Sequence, residues 1–273
     1  MPDRFDIVYR YDGSFEGLIC CIYDSFYRHE QPAAILAPEQ GQASLFDEHE
    51  VETDPQHAYR VLTAIDQKIS PDACEMVKRT YLTCLEEKEM ALLKFVRLGF
   101  QVGPALTAML ADTAVNTITK ACAHMGGEAH LLKGFIRFSD YNGLLATTIT
   151  PKNNVLPLIA DHFCIRYSGE AFIIFDQTHE LALLYHRGQS EIRSLAQLDL
   201  PSPSQNERMY RSLWKRFYDT IGIEGRYNPK CRMSHMPKRY WPNMTEFQDA
   251  EYFEEPKPTI ETDKPLLPQI TGA

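Results

Sequence analysis

What the chain lacks narrows it first. Its seven cysteines, Cys20, Cys21, Cys74, Cys84, Cys122, Cys164 and Cys231, include no CxxC pair and no close cluster. Zinc and iron–sulfur sites need thiolates spaced so that short loops can wrap the metal, so neither is expected, and no other cofactor is implied. An odd, scattered set of thiols points to a reducing compartment, and a cytoplasmic location is the expectation. The chain has no GxSxG elbow, no P-loop ending in GK[ST], no GxGxxG after a strand and no HExxH. Serine activation, a nucleoside-triphosphate cradle and a dinucleotide site of the usual kinds are thereby disfavoured. Met1 to Tyr11 holds no basic stretch followed by an apolar run. Nowhere do about eighteen uncharged apolar residues follow one another, so neither a signal peptide nor a membrane span is predicted.

What is present suits a packed core, with 44% apolar and 24% charged residues in 273. Phe5 to Tyr11 alternates as a strand; after the turn at Asp12 to Ser14, Phe15, Leu18, Ile19, Ile22 and Phe26 recur at helical spacing. Periodicity then vanishes, and the acids Glu39, Asp47, Glu48, Glu50, Glu52 and Asp54 stand without one Lys or Arg, so residues 32–54 are expected to be a mobile acidic loop. Asp54-Pro55 and Ser70-Pro71 are helix starts, a capping side chain followed by proline at the first helical position. Helices are predicted from there to about Gly127, with interruptions near Gly99 to Pro104 and near Asp112.

After Gly127 the period changes. Gly134 to Phe138 and Leu144 to Thr150 read as strands joined by the turn at Asp140 to Gly143; a helix capped by Asn154 follows, then strands at Ala171 to Phe175 and Leu181 to His186. This ββαββ unit is expected to form one antiparallel sheet, followed by a long helix whose Trp214 and Phe217 belong to the core. The predicted fold class is α+β, a helical layer packed on a small antiparallel sheet. It is expected as one domain over 1–245, with 246–273 a disordered, acidic, Pro-rich tail.

Charge is distributed unevenly. Between Arg208 and Arg239 nine basic residues face two acids, Asp219 and Glu224, a net of +7 that leaves −16 on the rest of a chain totalling −9. Phosphate neutralisation plus base stacking requires cations interleaved with flat rings. The nucleic-acid-binding candidates are therefore Arg211, Lys215, Arg216, Arg226, Tyr227, Asn228, Lys230, Lys238, Arg239, Tyr240 and Trp241. DNA is the expected partner, with single strands and duplexes equally open. Two alternatives stand beside it: a merely solvated basic helix face, and a docking strip for an acidic protein.

His124, Glu128 and His130 fall in a Gly-containing segment where a helix is expected to give way to a strand, and His162 lies one helical turn before Arg166. Such groups can move protons, so Glu128, His130 and His162 are the catalytic candidates for an enzyme acting on DNA or a nucleotide. Structural capping is the competing assignment, and no metal site is expected. Gln42-Ala-Ser-Leu45-Phe46 looks like the Gln-x-x-Leu-Phe peptide by which bacterial DNA polymerases and repair proteins dock on the sliding clamp. Leu45 and Phe46 would enter an apolar pocket and Gln42 would hydrogen-bond at its rim.

Several strings together, Tyr11-Asp-Gly-Ser-Phe-Glu-Gly17, Gly127-Glu-Ala-His130, Gly134-Phe-Ile-Arg-Phe138, Asn154-Val-Leu-Pro157, His162-Phe163, Asn228-Pro-Lys230 and Met236-Pro-Lys-Arg-Tyr-Trp241, resemble a bacterial family of DNA repair or DNA metabolism proteins. The resemblance spans roughly residues 4 to 247, and the family is a domain of unknown function. It implies a context rather than a mechanism. Such proteins are typically encoded beside a radical-SAM protein of DNA modification or repair, and similar domains occur fused to a uracil-DNA-glycosylase-like domain. This chain lacks the three-cysteine signature of a radical-SAM cluster, so such chemistry would belong to the partner, and the resemblance carries no catalytic residues over.

Overall fold

Proline has no N–H to lose in the first turn of a helix, and both proline-led start signals do open helices. The computed structural model describes residues 6–38 and 45–247. In chain order the elements are β1 (Ile7–Arg10), α1 (Phe15–Tyr27), β2 (Ala34–Leu36), β3 (Asp47–Glu50), α2 (Pro55–Lys68), α3 (Pro71–Tyr81), α4 (Lys88–Val102) and α5 (Thr113–Phe135). There follow β4 (Ser139–Asp140), β5 (Leu144–Ile149), α6 (Leu156–Arg166), β6 (Ala171–Asp176), β7 (Leu181–His186), β8 (Gln189–Ser194), α7 (Gln205–Thr220) and α8 (Pro229–His235). The class is α+β. The chain divides into two compact units, Met1–Gly134 with Thr150–Arg166, and Phe135–Ile149 with Tyr167–Ala273. Among the described residues no helix is long and apolar enough to cross a membrane.

In the first unit β1 lies between β2 and β3 and is parallel to both. The stretch expected to be loop thus supplies two strands. β3 consists of Asp-Glu-His-Glu and escapes any hydrophobic pattern; backbone pairing to β1 holds it, with Arg10 clasping Glu48 at 2.6 and 2.8 Å. Asp54 and Ser70 cap α2 and α3, accepting from the N–H groups of Gln56 and Ala73. Tyr9, Leu18, Ile22, Ile65, Val77, Leu92, Phe95 and Ile118 form a buried core. Burying each such side chain contributes about 1.5–3 kcal/mol. Gly99, expected at a break, lies inside α4, where a Cβ would sit 2.5 Å from Ile69 Cδ1 and 2.8 Å from Leu106 Cδ2. Close packing, not helix termination, explains that glycine. α5 likewise runs unbroken through Gly126 and Gly127. Two interior glycines cost about 2 kcal/mol of helix propensity, which burial of Val115, Ile118, Met125 and Leu132 outweighs.

The second unit holds a sheet of order β4-β5-β6-β7-β8. It is mixed rather than antiparallel, because the chain passes through α6 between β5 and β6 and pairs them parallel, Leu145 opposite Phe172. β8, wholly exposed, is a strand that periodicity did not reveal. Gly134 and Phe135 close α5, so the first predicted strand shrinks to Ser139–Asp140. Asn154 does not cap α6; its Oδ1 has no hydrogen-bond partner among the described residues, while its N–H donates to Leu82 O at 2.9 Å. Phe172 stacks on Tyr185 at 4.9 Å in the core of this unit. Order continues past residue 245: Thr245–Phe247 form a 3-10 turn, and the buried Glu246 accepts from Arg137 Nη2 at 2.8 Å and Trp214 Nε1 at 3.2 Å. The rest of the expected tail, 248–273, lies outside the described residues.

Candidate nucleic-acid interface

Ser204 opens α7, its Oγ accepting from Glu207 N at 3.1 Å. Glu207, almost buried, binds Arg211 Nε at 2.8 Å through one carboxylate oxygen and accepts from Asp140 N at 3.1 Å through the other. Arg211 also donates to Ser139 Oγ. Lys215 Nζ sits 3.2 Å from Asp219 Oδ2 and donates to Glu246 O at 3.5 Å. These two cations, both sequence candidates, are committed to contacts within the unit.

The other face of α7 is open. Arg208 and Arg216 are exposed, and with them stand Met209, Tyr210, Leu213, Trp214 and Phe217, from 38% to 63% exposed. Trp214 and Phe217, expected in the core, are stacked on each other at the surface, with ring centroids 5.7 Å apart. Period 3.6 reveals a stripe but not which stripe turns inward. Here the inward one is the polar row of Glu207 and Arg211.

Beyond α7 the chain runs through a 3-10 turn at Glu224–Arg226, α8, and another 3-10 turn at Lys238–Asn243. Arg226, Lys230, Lys238 and Arg239 are exposed, and Tyr227 is 70% exposed. The remaining candidates are built in. Asn228 caps α8, its Oδ1 accepting from Cys231 N at 3.0 Å. Tyr240 is buried beside Phe135, and its hydroxyl accepts from Arg239. Trp241 stacks on Phe247 at 4.3 Å, donates to Met236 O at 3.0 Å, and has Arg232 5.1 Å from its ring centre. The exposed set is thus Arg208, Arg216, Arg226, Lys230, Lys238 and Arg239, with Tyr210, Trp214, Phe217 and Tyr227 as exposed rings.

The proton-transfer candidates are not brought together. Residues two apart on a helix face different ways, and α5 carries both Glu128 and His130. Glu128, 2% exposed, accepts from Lys152 N at 3.1 Å, Asn153 N at 2.8 Å and Asn153 Nδ2 at 2.6 Å. A carboxylate so occupied clamps the chain at 152–153 rather than awaiting a substrate proton. His130 is exposed on another face of α5. His162 is half-buried, with no partner for its Nε2 among the described residues; desolvation, then Lys133 and Arg166, hold its pKa below the ordinary histidine value. Among the described residues no group of three or more His, Cys, Asp or Glu side chains could hold a metal. Of the clamp-like peptide, Leu45 is fully exposed and Phe46 half-exposed, and Gln42 lies outside the described residues.

No curated protein matches the chain. A family model does, over residues 86–246, from just before α4 to the final 3-10 turn. That is more than half of the sequence, so the chain belongs to the family described as a domain of unknown function, DUF4130.

Proposed function

We infer that the exposed face of residues 205–239 binds nucleic acid, and single strands in preference to duplexes. The observation that carries this is the coincidence, on one stretch of the second unit, of six exposed cations with four exposed rings. Cations neutralise phosphates and release counterions, while Tyr210, Trp214, Phe217 and Tyr227 offer flat faces to unpaired bases. A duplex hides those base faces and would gain only the electrostatic part. The family resemblance supports a wider reading, in which a cytoplasmic accessory of DNA metabolism delivers a strand to a radical-SAM partner that performs the chemistry. Exposed Leu45 and Phe46 suit a role for the 42–46 peptide in recruiting the sliding clamp. Fluorescence-anisotropy titration of labelled single-stranded and duplex DNA at several salt concentrations tests the central claim. Saturable binding, tighter to single strands and weakening steeply with salt, is expected; binding insensitive to salt would refute it.

A further inference from the structure

A second site lies in the first unit. A groove of about 580 Å3 is lined by α3, α5 and α6, a size typical of pockets for small molecules. On α5 it is walled by Gly126, His130 and Lys133, which at spacings of three and four share a face, the one turned away from Glu128. α3 contributes Lys78 and an Arg79 whose charge is met by Glu75 at 3.0 Å. That leaves Lys78 and Lys133 against Asp161, an excess of positive charge. The first turn of α6, Pro157 and Leu158, completes the wall. A helix N-terminus carries a positive dipole end, and no acid in this first turn offsets it.

Gly126 is the most informative residue of the groove. Glycine inside a helix costs about 1 kcal/mol relative to alanine. At Gly99 packing accounts for that cost, but a Cβ on Gly126 would meet nothing within 4 Å. A Cβ on Gly127, outside the groove lining, would likewise meet nothing, so the openness is shared by both glycines; at Gly126 it leaves the groove wall flat, with room for a ligand against the helix backbone. Leu82 and Leu158 make the lining partly apolar.

The geometry points to a binding site for a phosphorylated small molecule of mononucleotide size. Its phosphate faces Lys78 and Lys133 with His130 as a further donor, and its flat body lies over Gly126 and Leu158. The site is independent of the face on α7 and α8. Isothermal titration of the full chain with deoxyadenosine monophosphate tests it, with adenosine and inorganic phosphate as partial probes. One saturable site is expected, weakened about tenfold or more by omitting the phosphate or by combining Lys78→Ala with Lys133→Ala. Gly126→Leu should abolish binding while leaving Tm equal or higher, since leucine is the better helix former and the position is open. Retained affinity in Gly126→Leu and in the double lysine variant would overturn the proposal, as would absence of binding at millimolar nucleotide. Loss of binding in an Arg216→Ala, Arg226→Ala, Lys230→Ala triple variant would overturn it too, by moving the nucleotide to the other face. Competition by a 5′-phosphorylated oligonucleotide would identify a strand end as the source of the phosphate, and its failure a free nucleotide; the groove is supported by either.

Discussion

Removing Arg216, Arg226 and Lys230 together, each to alanine, is the sharpest test of the proposed interface, because the structure sets the size of the effect. Six cations are exposed along this face. If all of them neutralise single-strand phosphates, the slope of log K against log salt is about −0.7 for each, or about −4 in all. Between 50 and 200 mM salt that corresponds to roughly 300-fold weaker binding. With three of the six removed the slope falls to about −2, and the same change of salt costs only about 20-fold. Anisotropy titrations of the two proteins at four or five salt concentrations measure both slopes. Arg211→Ala is the control. Its guanidinium is held by Glu207 and Ser139, so it should lower Tm and leave the slope unchanged. Equal slopes for the parent and the triple variant, or a larger effect from Arg211 than from the three exposed cations, would refute the assignment.

Three further outcomes follow from the buried polar groups. Glu128→Gln turns an acceptor of three N–H groups into a side chain that presents its own donor to them, and should cost about 2 kcal/mol, or roughly 4–8 °C in Tm by calorimetry, without changing the DNA salt slope. Glu246→Ala removes the carboxylate that holds Arg137 and Trp214 Nε1; a loss of about 3 kcal/mol is expected by urea titration together with a shift in tryptophan emission, and an unshifted spectrum would count against the contact. Burial first, then Lys133 and Arg166, lowers the pKa of His162 from 6.5. The unfolded chain therefore binds the extra proton in the window just below pH 6.5. Stability contributed by neutral His162 is present above that window and is lost as the pH falls through it. His162→Gln should flatten this acid limb in urea midpoints measured from pH 7 to pH 5, and identical limbs would exclude the group.

Capped helices, turns and most of the core were legible in the sequence because each is written locally. Ser70 followed by Pro71, or Leu18, Ile19 and Ile22 on one face, needs no knowledge of the rest of the chain. What escaped was decided by distant partners. β3 is polar at every position and exists because β1 pairs with it. The sense of the β5–β6 pair depends on the crossover rather than on either strand's residues. At the interface the cationic segment was visible in composition, but its aromatic half was misplaced. Trp241 carries the expected residue type and is consumed by Phe247 and Met236. Trp214 and Phe217 carry the apolar spacing of a core and lie at the surface.

The buried carboxylates show why an α+β chain with this path needs charges inside. The chain leaves the first unit after Gly134 and re-enters it at Thr150. Beside the re-entry, the amides of Lys152 and Asn153 are held by Glu128. Just after the exit, within the second unit, Arg137 is held by Glu246 and the Asp140 amide by Glu207. Apolar contacts tolerate sliding by a residue, whereas a carboxylate shared among N–H groups at 2.6–3.1 Å does not. The exit after Gly134 and the re-entry at Thr150 are thus each pinned in register by an acid more than 20 residues away. Two of these acids also shape the proposed interface. Glu207 turns Arg211 inward and Glu246 anchors the edge of Trp214, so α7 presents its rings, Arg208 and Arg216 outward. On this account Glu246→Ala should weaken single-strand binding through the loss of a fixed Trp214 face while leaving the salt slope near its parent value, because no exposed cation is removed.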